Sequence, residues 1–161
     1  MQPVQAQHSD SSTPQLSTWQ RPSRRERPAD PGDELCVDLI SEEAKCLECD
    51  LTAARGMAIL AAAGLSSAPV VDDNGVLVGM VFATRLASFL RVEDVTDVEV
   101  EVEDAMMTEV VTAPSHATVA EVAKLMARHN LDRIPVVTHD GRLVGVICAM
   151  DLVRWLSDRL P

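Results

Sequence analysis

The sequence contains one pair of cysteines at a spacing that can do chemistry, Cys46 and Cys49 in "CLEC". A Cys-x-x-Cys motif occurs in thiol redox centres and as half of a zinc site. A zinc site needs four ligands, and no second Cys-x-x-Cys or His pair follows in the sequence. A thiol redox or metal role is therefore one hypothesis, and the alternative is ordinary packing of two small side chains beside a strand.

The second candidate is the carboxylate of Asp151, which ends "GVICAMD" (145–151) and precedes the mostly apolar run "LVRWL". An Asp at this point can cap the helix that follows. It can also accept hydrogen bonds from a bound molecule, because an ionised carboxylate offers two acceptor oxygens and no donor. The two roles are compatible, and both stay open.

An internal repeat positions these residues. Residues 65–90 align with 131–156 at a constant offset of 66 without a gap, and 11 of the 26 aligned positions are identical. The identities include a Pro and two Gly in each copy, at Pro69/Pro135, Gly75/Gly141 and Gly79/Gly145. We therefore expect one repeat at 34–92, an acidic linker at 93–101 and a second repeat at 102–161.

Each copy has the same sequence of local signals. Thr118 with Glu121 predicts a capping box at the start of a helix, and the first copy has Arg55 in place of the Glu. Asn-Gly or Asp-Gly between two Val-rich runs predicts a β-hairpin, because both turn residues tolerate positive φ. With a short strand first, the unit is β-α-β-β-α, so the fold class is α+β. A unit of about 60 residues is small for an independent core, so we expect the two sheets to pack together.

Composition and charge exclude several classes. Residues 1–33 carry almost no aliphatic side chains, which predicts a disordered tail, and "RPSRRERP" within it is a possible docking peptide. The net charge of −11 comes from 34–161, where 21 acidic residues face 10 basic ones, so nucleic-acid binding is not expected. The longest apolar run, 57–65, is too short to span a membrane, and no secretory signal begins the chain. These features predict a cytoplasmic protein.

The tandem units, with "RIPVV…DGRLVGVI…D" in the second, resemble the CBS-domain pair, also called a Bateman module. The resemblance covers about 125 of the 161 residues, and "VEDAMMT" (102–108), "DRIPVV" and "GVICAMD" are its most specific parts. It implies that the two repeats pack sheet to sheet as one module. It further implies a stand-alone homodimeric protein whose inter-repeat clefts bind adenosyl compounds such as AMP, ATP or S-adenosylmethionine. Such modules regulate other proteins and are not enzymes.

The resemblance also implies which residues would bind the ligand: Asp151, Arg133, Ile134, Thr112, Ala113, Cys148 and Met150. Asp151 would accept hydrogen bonds from both ribose hydroxyls, and Arg133 would lie near a phosphate. Ile134 and Met150 would form apolar walls beside adenine, with core packing as the alternative for each. Residues 112–113 would offer backbone groups to the edge of the base.

Several departures from the family pattern weaken this hypothesis. Cys148 replaces the hydroxyl residue three positions before the Asp, and a thiol is a poor hydrogen-bond donor. Phe82 and Arg85 occupy the corresponding positions of the first repeat, so its cleft is expected to be closed to an ordinary adenosyl ligand. Arg85 is instead a candidate contact for a phosphate held by the second repeat. Ser67 stands where the second repeat has Arg133.

Two functions follow from different classes. The first is a regulatory module that binds an adenosyl ligand mainly through its second repeat and passes the signal to an unidentified protein partner, with no other cofactor. The alternative is a ligand-free dimerising scaffold whose clefts are both defunct. An enzyme fits least well, because the sequence contains no paired acid and base and no activated nucleophile.

Overall fold

The computed structural model describes residues 33–40, 45–90 and 100–160; the predicted tail, except Asp33, and most of the acidic linker lie outside them. The first half contains β1 (Leu47–Glu48), α1 (Ala53–Ala63), β2 (Ser67–Val71), β3 (Leu77–Phe82) and α2 (Ala83–Leu90). A short helix, α3 (Val102–Ala105), then leads to the second half. That half contains β4 (Ala113–Pro114), α4 (Val119–His129), β5 (Arg133–Val137), β6 (Leu143–Cys148) and α5 (Ala149–Ser157).

Each half forms a three-stranded sheet with the same topology. The strand orders are β1-β2-β3 and β4-β5-β6, so the second strand of each half lies in the centre. The central strand is parallel to the short first strand and antiparallel to the third. The predicted α+β fold and the β-α-β-β-α unit are therefore confirmed in both halves.

Helix α4 begins where the sequence predicts, and α1 and α4 both end at a left-handed residue. Thr118 N donates to Glu121 Oε2 at 2.8 Å and Glu121 N donates to Thr118 Oγ1 at 3.2 Å, which forms the predicted capping box of α4. Asn130 (φ 52°) and Gly64 (φ 65°) end α4 and α1 in the left-handed conformation that closes a helix. Among the described residues, none of the helices has the length and apolar character needed to cross a membrane.

The hairpin tips join the two halves. Gly75 (φ 75°) and Gly141 (φ 80°) adopt the left-handed backbone that these turns require. Leu77 N donates to the Gly141 carbonyl at 3.0 Å, and Leu143 N donates to the Gly75 carbonyl at 2.9 Å. Behind the tips, apolar side chains from both halves form one cluster, made of Cys46, Val71, Leu77, Leu143 and Val146. The predicted sheet-to-sheet packing is confirmed.

A segment near each repeat's start packs on the opposite half. The first exchanged segment, residues 34–40, lies in the core of the second half, and it includes a short 3₁₀ helix, Cys36–Leu39. Cys36 N donates to the Ala117 carbonyl at 2.9 Å, and Val119 N donates to the Glu34 carbonyl at 2.8 Å. Ile40 fits over Gly145, where a Cβ atom would lie 2.7 Å from the Ile40 side chain.

The second exchanged segment, residues 100–107, lies in the core of the first half. Ala53 N donates to the Val100 carbonyl at 2.7 Å, and Met80 and Met107 exchange two backbone hydrogen bonds of 2.7 and 2.9 Å. A Cβ atom on Gly79 would lie 2.8 Å from the Met107 carbonyl oxygen. Each exchanged segment therefore lies next to one repeat in the sequence but completes the core of the other repeat.

Candidate functional site

The polar candidates of the second half meet at the end of its hairpin, where α5 begins. Arg133 and Cys148 are paired across β5 and β6, and Ala149 N donates to the Asp132 carbonyl at 2.8 Å. Asp151 lies in the first turn of α5. The sheet register therefore brings Arg133, Cys148 and Asp151 together, as the sequence predicts for a ligand site.

Asp151 caps α5, which is one of the two roles expected for it. Its Oδ2 atom accepts from Cys148 N at 2.8 Å, and its Oδ1 atom accepts from Arg154 Nη1 at 3.3 Å. The Asp151 side chain is 13% exposed. Because a carboxylate has about four lone-pair sites, each oxygen keeps acceptor capacity beyond these two bonds.

Arg133 reaches across to the first half. Its Nη1 atom donates to the Ser67 carbonyl at 3.3 Å, and Ser67 is the residue that corresponds to Arg133 in the repeat alignment. The Arg133 Nε–H is buried and has no hydrogen-bond partner among the described residues. Asp132 Oδ2 lies 3.9 Å from that Nε atom, which permits Coulomb attraction but is too long for a hydrogen bond.

The first half contributes a neighbouring pair of residues. Phe82 is paired across β2 and β3 with Ser67, the residue whose carbonyl accepts from Arg133. Phe82 is 39% exposed, and Arg85 in the first turn of α2 is exposed. Among the residues placed in the structure, Arg85 has no ion-pair partner. We call the set Ser67, Phe82, Arg133, Cys148 and Asp151 the inter-repeat site.

The two predicted apolar walls differ sharply in exposure. Ile134 is fully buried and packs against the core of the second half, whereas Met150 is 55% exposed on α5. Core packing, the alternative considered for each, is what the structure shows for Ile134 and not for Met150. Ile134 therefore presents no surface to a ligand in this structure.

The backbone of the 112–113 segment is partly committed already. Ala113 is fully buried and is paired with Val136 on β5, while Thr112 is half-buried. The Ala113 strand has one neighbour, because β4 is an edge strand of its sheet. The other edge of β4 has no strand partner within the sheet, but Ala113 itself is fully buried, so this edge is covered in the structure.

Burial keeps the candidate thiols protonated. Burial raises the pKa of Cys148, while the neighbouring Arg133 acts in the opposite direction. Burial also raises the pKa of Cys49, with Asp50 and Glu103 adding to the effect. Cys46 and Cys49 flank β1 and are not joined in a disulfide, and the described residues contain no cluster of His, Cys, Asp and Glu suited to a metal ion. This setting is typical of structural cysteines and not of reactive ones.

Two residues near the site, Asp132 and Ser67, were not predicted from the sequence. Asp132 lies beside the Arg133 Nε atom, and the Ser67 carbonyl holds Arg133 Nη1. The repeat offset was the available signal for Ser67, because Ser67 corresponds to Arg133 in the repeat alignment.

Comparisons with known proteins agree with this architecture. The CBS-domain family model matches residues 36–92 and 102–158. Inosine-5'-monophosphate dehydrogenase of Halobacterium salinarum is 33% identical over 90 residues, which are 56% of this chain and 17% of that enzyme. The chain therefore spans only a small part of this curated relative.

Solved structures of CBS pairs superpose on most of the chain. The CBS-domain pair of protein MJ0100, in complex with 5'-methylthioadenosine and S-adenosyl-L-methionine, gives a TM-score of 0.64 at 25% identity, over 78% of this chain and 98% of that one. CBSX2 in complex with AMP gives a TM-score of 0.67 at 21% identity, with the same coverage of 78% and 98%. The chain therefore belongs to the CBS-domain family, and its two halves are a pair of CBS domains.

Proposed function

We propose that the chain is a regulatory module that binds an adenosyl ligand at the inter-repeat site, mainly through its second CBS domain. The observation that carries this proposal is the buried Nε–H of Arg133, which has no hydrogen-bond partner in the described part of the chain. An unmet buried donor is costly, and a bound acceptor removes that cost. Asp151 lies close by and supplies an acceptor for the donor groups of the ligand.

Each residue has a distinct role in this proposal. Asp151 accepts hydrogen bonds from the ribose hydroxyls with its remaining lone pairs, while its bond to Cys148 N keeps the carboxylate oriented. Arg133 donates to a phosphate or to another acceptor of the ligand. Residues 112–113 offer backbone groups to the base, and Met150 covers it. Cys148 contributes contact but little hydrogen bonding.

The charge of the chain favours adenosyl ligands of low negative charge. With a net charge of −11, the protein repels polyphosphates unless local cations compensate. Arg133 is the only cation of the inter-repeat site as defined above, with Arg154 engaged by Asp151 and Arg85 exposed nearby. The MJ0100 pair, solved with 5'-methylthioadenosine and S-adenosyl-L-methionine, supports ligands of this type. We therefore rank these two above AMP, and AMP above ATP.

A thermal unfolding screen tests the proposal. The protein is heated with 5'-methylthioadenosine, S-adenosylmethionine, AMP, ADP and ATP, the last with and without Mg²⁺. A ligand at 100 times its dissociation constant stabilises the fold by about 2.7 kcal/mol, which shifts the midpoint by several degrees. The proposal fails if none of these compounds shifts the midpoint at millimolar concentration.

Two matched variants locate the binding. Asp151→Asn keeps an acceptor for Cys148 N but loses the charge and one acceptor, so we expect the ligand-induced shift to fall sharply. Asp104 makes an equivalent capping bond to Glu101 N at 3.0 Å in the second exchanged segment. Asp104→Asn is therefore the control, and it should keep the full shift. An equal loss in both variants would point to damaged capping and not to a lost ligand contact.

A second candidate function, a dimerising scaffold, is favoured by the surface of α5. Met150, Val153 and Leu156 are 55%, 54% and 51% exposed and are spaced three residues apart, so they lie on one face. The corresponding positions of α2 are Thr84, Ala87 and Leu90, a less apolar set. We propose that a second copy of the chain covers the α5 face.

Sedimentation of the wild type and Val153→Glu tests the dimer. A buried Glu without a partner is strongly unfavourable, so Val153→Glu should sediment as a monomer while keeping its circular dichroism spectrum. Ala87→Glu, at the matched position of α2, is the control and should leave the wild-type oligomer intact. A monomeric wild type would refute the scaffold and leave the ligand-binding proposal untouched.

A further inference from the structure

A cavity in the second half lies apart from the inter-repeat site. It has a volume of about 340 Å³ and is formed between α4 and the loop that follows β4. Its walls are mainly apolar, with Ala117, Val122 and Leu125 among them. This volume is in the range typical of small-molecule sites in proteins. Ala113 is its only lining residue that also belongs to the predicted adenosyl site.

Cationic side chains stand at the rim of this cavity. Lys124 and Arg128 line it, are exposed, and lie one helical turn apart on α4, with His116 on the facing loop. Within the described residues, neither Lys124 nor Arg128 takes part in an ion pair. Both cations therefore stand beside an apolar cavity without a close ion pair, in a chain with a net charge of −11, and Lys124 attracts the Glu121 carboxylate only at longer range.

The one carboxylate in the lining is already committed. Glu121 Oε2 accepts from Thr118 N at 2.8 Å and from Thr118 Oγ1 at 3.1 Å, which fixes it at the start of α4. These hydrogen bonds, the backbone one first, lower the pKa of Glu121. The carboxylate is thus held by the helix N-terminus, and the two cations outnumber it at the rim.

The repeat provides an internal comparison. The positions of α1 that correspond to Lys124 and Arg128 are Ala58 and Ala62. The cationic rim is therefore a property of the second half and not a general feature of the repeat. We propose that this cavity is a second ligand site, which binds a small amphiphilic anion with its apolar body against Val122 and Leu125 and its carboxylate or phosphate between Lys124 and Arg128.

Amide NMR titrations with phenyl phosphate and with benzoate test this site. We expect saturable shifts at Ala117, Val122 and Leu125, and the stronger binder of the two identifies the preferred anion. Inorganic phosphate has the anionic group without the ring, and phenol has the ring without the anionic group. Each should bind at least about tenfold more weakly than the better probe. Shifts confined to α5 or to the inter-repeat site would overturn the proposal.

A double variant removes the cationic rim. Lys124→Gln with Arg128→Gln should weaken binding of the better probe at least about tenfold, because charge-assisted hydrogen bonds to the anion are lost. Both side chains are exposed, so the thermal midpoint should not change. Arg55→Gln, an exposed cation on α1, is the control and should bind like the wild type. Unchanged affinity in the double variant would refute the site.

Discussion

Cys148 holds the N-cap position of α5, where an oxygen-bearing side chain is usual. Its thiol is a weak acceptor, so the first turn of α5 is stabilised mainly by Asp151 from within the helix. The same substitution removes the hydroxyl that the family pattern places beside the ligand. One residue therefore weakens both the helix and the proposed site.

Cys148→Ser should strengthen the cap. We expect the free energy of unfolding to rise by about 0.5–1 kcal/mol, because a hydroxyl accepts from the first-turn N–H groups better than a thiol does. Urea denaturation measures the change. Cys49→Ser is the control, since Cys49 does not cap a long helix, and it should bring no gain. A loss of stability in Cys148→Ser would show that the thiol is held by packing.

Cys36 makes the free energy of unfolding depend on pH in the alkaline range. Burial raises the pKa of its thiol from 9.0 to about 11. A raised pKa in the folded state means that the unfolded chain loses this proton first, so the contribution is complete below pH 9 and is lost as pH rises toward 11. The free energy of unfolding should fall by up to about 1.4 kcal/mol per pH unit in this window. Cys36→Ala should show a flatter profile, and parallel profiles would contradict this assignment.

At the residue scale, the sequence predicted which residue types lie near one another better than it predicted their hydrogen bonding and burial. The positions of Arg133 and Asp151 followed from the motif. The unmet Nε–H of Arg133 depends on the exact distance to Asp132, and the burial of Ile134 depends on the packing of two helices. Neither quantity is encoded in the identity of nearby residues.

At the scale of elements, the exchanged segments explain why the second Gly of the repeat is found in both copies. Gly145 lies under the Ile40 side chain, and Gly79 lies under Met106 and the Met107 carbonyl. A larger residue at either position would separate the segment from the sheet. At Gly145 the Ile40 side chain would have to move, whereas at Gly79 the Met107 backbone would also have to move. A side chain moves more easily than a hydrogen-bonded backbone.

Gly79→Ala should therefore cost more stability than Gly145→Ala. We expect losses of about 1–3 kcal/mol, the range for an added methyl group in a packed core, with Gly79→Ala at the upper end. Urea denaturation of both variants gives the order. Adding Ile40→Val to Gly145→Ala should recover part of the loss in a double-mutant cycle. Equal losses without coupling to Ile40 would contradict the close approach seen here.

The elements themselves were largely predictable. Thr118 with Glu121 specified the start of α4, and the Asn-Gly and Asp-Gly turns specified both hairpins, because these signals are local. The exchange was not predictable, since the apolar pattern of "VEDAMM" shows that the segment is buried but not which sheet covers it. Nothing in the sequence of the segment itself distinguishes one sheet from the other.

At the scale of the whole molecule, the described residues join the halves at the hairpin tips, in the apolar cluster behind them, through the exchanged segments, and by the bond from Arg133 to the Ser67 carbonyl. The last one lies within the inter-repeat site. A ligand that binds Arg133 therefore acts on a contact between the two CBS domains. In the proposed function, the bound ligand changes the strength of this contact. A partner protein that binds both CBS domains would respond to that change.

Calorimetric titration of 5'-methylthioadenosine and AMP into the wild type, Asp151→Asn and Arg133→Gln tests the central claim most directly. Both ligands share the ribose, and only AMP carries a phosphate. Asp151→Asn should weaken both ligands at least about tenfold, whereas Arg133→Gln should weaken AMP by that factor and 5'-methylthioadenosine by less, because only AMP offers Arg133 a charged acceptor. If the wild type binds neither ligand, or binds both as well as the two variants do, the inter-repeat site is not an adenosyl site.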